Sequence, residues 1–266
     1  MSGAGRTTDL TIAARFCGPA GSGNGGYTAG SLAGLVPAGT DRPVIEVTLR
    51  HPPPLDVAMK VEHVRADDPS NVSGHASTVL LMGGAKIGEA RVCEADLEPV
   101  EEVSTEEAEA AMTRFPGFVS HPFPSCFSCG PDRSKGDGLR IFPGPVRGDR
   151  VAPVVASTWV PHRSLAESSD LVDDGPPQVG LGTAWAALDC VGGWAGDIGE
   201  RKMVLGRMTA QIDALPLVGE PHVVLGIPLG SEGRKTFTSS TLYDSDRRIV
   251  GRARHTWIAI DPSSFR

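Results

Sequence analysis

Hydrophobic and polar positions change their spacing along the chain, and those changes predict its elements. Between Val179 and Ala195 the sequence VGLGTAWAALDCVGGWA is apolar nearly all round. It predicts a helix over residues 182–195 that belongs in a core. One ionisable side chain, Asp189, sits in its middle. A carboxylate in apolar surroundings is costly unless it is hydrogen-bonded, paired or protonated. About a turn and a half of helix precedes Asp189, so it cannot be an N-cap. It is therefore either a structural acceptor or a group with chemistry to perform.

The first half opens with an apolar segment at Leu10 to Phe16, a Gly-rich turn at Gly18 to Gly26, and a small-residue helix at about Tyr27 to Val36. Extended segments follow at Val44 to Arg50, Ala58 to Arg65, His75 to Met82 and Lys86 to Ala95. Pro, Asp and Gly signals divide them. Residues 57–65 alternate as a half-buried strand does. Glu98 to Arg114 is acidic and Ala-rich and reads as a linker. Ser104 or Thr105 starts a short exposed helix there, whose charges form a solvated face. The second half repeats the plan. Gly138 to Phe142 and Arg150 to Trp159 read as strands, and the buried helix comes next. Met203 to Ala214, His222 to Ile227, Arg234 to Tyr243 and Ile249 to Ile260 follow it as strands.

Short matches support duplication. Ser77-Thr78-Val79 returns as Ser240-Thr241-Leu242, and Gly88-Glu89-Ala90-Arg91 as Gly251-Arg252-Ala253-Arg254, both at an offset of 163. The Gly-turn-helix units at Asn24 and Gly180 are 156 apart. One near-constant offset with the same order of elements is the mark of an internal repeat. Each half is then a single helix with several long antiparallel strands, which suits a sheet wrapped around a buried helix.

Composition narrows the function. A chain of 266 residues holds one large or two average domains. A net charge of −7 argues against nucleic acid as a partner. No apolar run is long enough to span a membrane, and the opening MSGAGRTTDL has no secretory h-region. Five cysteines, an odd number, read as reduced thiols in a cytoplasmic protein. In that compartment the sequon Asn71-Val72-Ser73 has no role.

In the second half, Cys126-Phe127-Ser128-Cys129-Gly130-Pro131-Asp132, Gly138-Leu139, Gly182 and Ala187-Leu188-Asp189 resemble the pattern CFxCGxxN…GL…HGG…LLD of PaaI-like thioesterases. In the first half, Asn24-Gly25-Gly26-Tyr27 resembles the HGG turn and helix start of related acyl-CoA thioesterases. Together these cover most of the chain. The resemblance is to the hotdog-fold acyl-CoA thioesterase superfamily in its double-hotdog, single-chain form. It implies an α+β protein of two tandem hotdog folds packed side by side, each a long antiparallel sheet around a central helix. The expected boundaries are 1–97 for the first hotdog, 98–118 for the linker and 119–266 for the second. It also implies a homodimer, an acyl-CoA or acyl-carrier thioester as substrate, and no cofactor.

In that superfamily the glycine turn of one hotdog offers backbone N–H groups to the thioester carbonyl, while the helix of the other offers a carboxylate. Carried over by position, the parts divide unequally here. The turn Asn24-Gly25-Gly26 has Asn in place of His, and its own half has Ala33 at the acid position. The turn Gly180-Leu181-Gly182 also lacks His, but its half carries Asp189. The resemblance therefore implies one composite site. Asp189 serves as base or nucleophile, Gly25, Gly26 or Tyr27 supplies oxyanion amides, and Asn24 orients substrate. Gly182 with Ala33 forms a pseudo-site.

Other candidates are weaker. Cys126-x-x-Cys129 lacks a second pair, so it reads as a tight turn and no metal is assigned. Cys190 reads as a small buried hydrophobe. The spacing around Gly21 to Gly26 does not match a phosphate loop. Gly233-Arg234-Lys235 is a positive spot that could meet coenzyme A phosphates. Two alternatives stay open: an enoyl-thioester hydratase or dehydratase on the same fold, and a non-catalytic acyl-thioester-binding protein. None of the seven histidines has an Asp five residues before it, the spacing a hydratase hotdog carries. Absence of the turn histidines favours the binding protein.

Overall fold

The computed structural model describes residues 8–39, 42–69, 74–148, 150–167 and 175–261. The sequon at residues 71–73 lies outside them. In chain order the elements are β1 (Thr8–Thr11), α1 (Gly25–Ala33), β2 (Ile45–Leu49), β3 (Ala58–Val64), β4 (Ser77–Met82) and β5 (Ala85–Val92). Then come α2 (Thr105–Met112), β6 (Gly144–Pro145), β7 (Val155–Trp159), α3 (Leu181–Ala195), β8 (Met203–Ile212), β9 (His222–Glu232), β10 (Lys235–Tyr243) and β11 (Ile249–Ala259).

The described strands form one antiparallel sheet in the order β1-β3-β4-β5-β2-β8-β11-β10-β9-β7-β6. Reading outward from the centre gives β2, β5, β4, β3, β1 on one side. The other side gives β8, β11, β10, β9, β7, with the short β6 beyond. The two halves thus mirror each other about the β2–β8 pair, where Ile45 meets Ala210 and Thr48 meets Arg207. The repeated sequence words fall on equivalent hairpins, β4–β5 and β10–β11. Gly83 and Gly84, with φ of 56° and 81°, turn the first of these hairpins in two residues.

Helix α1 packs against α3, against β2 and β5 of its own half, and against β8. Helix α3 contacts β7 through β11, and all but three of its residues are buried. The helices approach closely because glycine lines the contact. A Cβ on Gly30 would lie 2.6 Å from Trp185 Cβ and 2.9 Å from Gly182 Cα.

Two expectations change. Gly138 to Phe142 is not a strand. Arg140 adopts φ of 57°, which breaks extended geometry. The Leu139 and Ile141 amides donate instead to the carbonyls of Phe127 and Ser128, clamping the cysteine turn. The second change is α2, which begins as expected with a Ser104–Glu107 capping box but is amphipathic, not exposed. Its Ala108 and Ala111 are buried in a small second core with Val154, Ala156 and Leu225. The linker before it is tied to β10, where Tyr243 Oη donates to Val100 O and Val100 N donates to Thr241 Oγ1. No described helix is long and apolar enough to cross a membrane.

Candidate functional site

Asp189 sits midway along α3 with 2% of its surface exposed. Its Oδ2 accepts a hydrogen bond of 2.8 Å from the Gly26 amide, in the first turn of α1. The opposite oxygen, Oδ1, is buried with no partner among the described residues. Removal from water is the main cause that raises the carboxyl from 3.8 to about 7; the Gly26 hydrogen bond and the nearby Asn24 amide oppose the rise, and negative charge on Cys126 would add to it. Near neutral pH this acid exchanges its proton, which is the range a general base needs.

The three amides assigned by resemblance to an oxyanion site have different fates. Gly26 N–H is taken by Asp189, and Tyr27 N–H donates to the N-capping Asn24 Oδ1 at 2.8 Å. Only the Gly25 N–H has no protein acceptor among the described residues. It stands at the positive end of α1. Asn24 is 2% exposed, and its Nδ2 points to the sulfurs of Cys126 and Cys190 at 3.6 and 3.8 Å. These contacts tie the glycine turn to the cysteines.

Asn24, Gly25 and Asp189 line one cavity of about 190 Å³. Its apolar walls include Leu49, Phe123, Trp194, Met203, Leu205 and Trp257, while Arg50 supplies a cationic group and His51 an imidazole. Arg234 and Lys235, the expected coenzyme A contacts, are not among its lining residues. The Arg234 guanidinium is engaged with Ala259 O. Sequence reading passed over Arg50 and His51 because a single basic residue beside Pro52-Pro53 has no pattern.

The second glycine turn is built differently from the expectation. Gly182 faces the Ser31 hydroxyl, not Ala33, and Ala33 is part of the main core. The Ser31 hydroxyl donates to Tyr27 O one turn back. The carboxylate against this turn is Glu167, beside Gly180, and it comes from a loop.

The cysteines also depart from expectation. Cys190, read as a small buried hydrophobe, is buried, but its Sγ lies 3.6 Å from Cys126 Sγ. Cys126, Cys129 and Cys190 are all buried, with sulfurs within 4.8 Å of one another. The single signal in the sequence was the Cys next to Asp189; no spacing rule pairs it with a turn some sixty residues earlier.

No protein-family model matches the chain, and no curated protein is a sequence match. Solved structures do match its fold. A hotdog-fold protein of unknown function from Alicyclobacillus acidocaldarius aligns over 98% of this chain and 96% of its own, with a TM-score of 0.55 and 12% identity. A TesB protein from Mycobacterium avium subs paratuberculosis aligns over 91% and 89%, with a TM-score of 0.53 and 14% identity. The acyl-CoA thioesterase II TesB2 from Mycobacterium marinum aligns over 84% and 82%, with a TM-score of 0.50 and 8% identity. The fold is that of hotdog proteins. The chain resembles TesB-type double-hotdog thioesterases over most of its length.

Proposed function

We propose that this chain hydrolyses a fatty or aryl acyl thioester, in the manner of an acyl-CoA thioesterase, at one composite site. The observation that carries the reading is the convergence of a buried, half-bonded Asp189 and an unclaimed Gly25 amide in one apolar cavity. In this reading residues 1–97 and 119–266 are two hotdogs side by side, each with its helix central to its sheet, joined by 98–118. The protein acts as a cytoplasmic homodimer.

Asp189 Oδ1 takes a proton from a water held beside the thioester carbonyl. The resulting hydroxide attacks the carbonyl carbon, and the oxyanion forms against Gly25 N–H, where the end of α1 adds positive potential. Collapse of that intermediate breaks the C–S bond. The departing thiolate takes the proton from Asp189, restoring the carboxylate. Gly26 fixes the acid throughout by holding Oδ2. Water as the attacking group suits a carboxylate whose second oxygen is already bonded.

The rival reading is a non-catalytic acyl-thioester-binding protein, favoured by the loss of two of the three amides to internal bonds. Release of free thiol from short, long and aromatic acyl-CoAs, comparing wild type with Asp189→Asn, separates the two. Turnover that falls at least about a hundredfold in the variant, equivalent to about 2.7 kcal/mol of barrier, supports hydrolysis. A folded wild type inactive across the panel supports binding alone. Wild-type turnover that survives the substitution refutes the role of Asp189. α,β-Unsaturated acyl-CoAs in the panel expose hydration as loss of the conjugated double bond without thiol release.

A further inference from the structure

We propose that Cys126, Cys129 and Cys190 bind one thiophilic divalent cation of the zinc class, with its fourth coordination position opening on the acyl cavity. The inference goes beyond thioester hydrolysis and does not depend on it.

The geometry suits a metal better than a disulfide. Zinc–thiolate bonds of about 2.3 Å put two sulfurs on a tetrahedral ion about 3.8 Å apart. Cys126 and Cys190 Sγ are 3.6 Å apart, and the third sulfur is within 4.8 Å of both. A disulfide requires about 2.05 Å. All three cysteines line the cavity that holds Asp189 and Trp194.

A second, independent observation is that the buried Asn24 side-chain amide is aimed at two of the three sulfurs. Asn24 Nδ2 approaches Cys126 and Cys190. Neutral thiols accept hydrogen bonds weakly. An N–H donor shared by two buried sulfurs is the kind of surrounding that supports metal-bound thiolates. The turn contributes too, since Gly130 N donates to Cys126 O and closes the Cys-x-x-Cys loop tightly.

His121 does not complete the set. Its Nδ1 accepts from Phe123 N at 3.0 Å, which leaves the ring proton on Nε2 and makes that atom a donor. Three thiolates and one open position define a site that holds a water or a small ligand from the cavity. Three thiols lose their protons when the cation binds, so binding weakens as pH falls.

The test is a Co²⁺ titration of the reduced full-length protein, prepared without metal under argon. The expected result is one Co²⁺ per chain, with near-ultraviolet thiolate charge-transfer bands and the strong visible bands of a tetrahedral ion. One equivalent of Zn²⁺ should displace it. Cys190→Ser should weaken binding at least tenfold, Cys93→Ser should leave it unchanged, and Asp189→Asn should retain the bands. If Cys190→Ser fails to fold, alkylation of native wild type with and without Zn²⁺ replaces it, with protection expected at Cys126, Cys129 and Cys190. The proposal is overturned if folded, reduced wild type shows no such bands. Unchanged binding in Cys190→Ser, the absence of zinc protection at these three residues, or a disulfide among them in the reduced protein would overturn it equally. Because no substrate is present, these results are independent of whether the protein hydrolyses thioesters.

Discussion

The Gly26 N–H and Asp189 Oδ2 are 2.8 Å apart, so a glycine turn in the first half and an acid in the second are joined by one buried hydrogen bond. The bond requires glycine on its donor side. A Cβ on Gly26 would lie 2.3 Å from Asp189 Cβ and 2.9 Å from Trp185 O. Both contacts belong to a helix packed into the core, which cannot retreat cheaply. Gly26→Ala should therefore destabilise by about 1–3 kcal/mol or more. Gly21→Ala, with nothing within 4 Å of its added methyl, should move the thermal midpoint far less. Equal midpoints for the two variants in thermal unfolding would remove Gly26 from its packing role.

Asp189 predicts opposite effects of pH on rate and stability. As the proposed base it works ionised, so kcat/KM should climb with pH and level off above about 7. The folded carboxyl holds its proton more tightly than the unfolded one, whose pKa is near 3.8. Wild type therefore loses stability as pH rises from about 4 through about 7. Asp189→Asn removes that loss. It should be more stable than wild type at pH 8, by a few kcal/mol at most, with the difference shrinking toward pH 4. Denaturant unfolding at the two pH values checks this; a variant less stable at pH 8 would mean the acid is a structural acceptor.

Most of the fold was legible because its signals are local. Polar–apolar alternation, Gly-Gly turns and repeated words such as Gly88-Glu89-Ala90-Arg91 mark the hairpins without any tertiary knowledge. Asp189 was legible for the same reason: it is the one charge in an apolar helix. What could not be read depends on how two helices cross. Helix crossing decides that Ser31, not Ala33, faces Gly182, and that Gly26 spends its amide on Asp189. It also brings Cys190 beside a turn at Cys126 that no sequence spacing connects to it. Arg140 shows the reverse failure, since local β-like composition was overridden by a backbone angle of 57°.

Under the proposed function Arg50 would meet an anionic substrate tail. It lines the cavity, its side chain is 53% exposed, and its nearest carboxylate, Glu89, is 4.0 Å away. Such a charge acts mainly on encounter and binding. Arg50→Ala should raise KM for an acyl-CoA severalfold while leaving kcat nearly unchanged, and the effect should fade as salt increases. Arg234→Ala should leave both constants alone, because Arg234 is held on Ala259 O outside the cavity lining. Steady-state kinetics at low and high salt decide between them, and a larger KM change from Arg234→Ala would restore the sequence-based assignment.

His255 gives the protein a sensitivity to acid that is separate from Asp189. It is 3% exposed, lies under Gly192, and its Nδ1 is 3.3 Å from Thr238 Oγ1, which accepts from Trp257 Nε1. Burial lowers its pKa from 6.5 to about 4, against a smaller opposing effect of the Thr238 backbone. The unfolded chain therefore binds a proton that the folded one refuses. Stability that is complete above pH 6.5 should fall as pH drops toward 4, by about 3 kcal/mol at most. His255→Gln keeps an amide acceptor near Thr238 but does not titrate, so its stability should vary less over that interval even if its absolute value is lower. Denaturant midpoints at pH 7, 5.5 and 4.5 measure the slope. Parallel slopes in wild type and variant would show that another group controls acid unfolding.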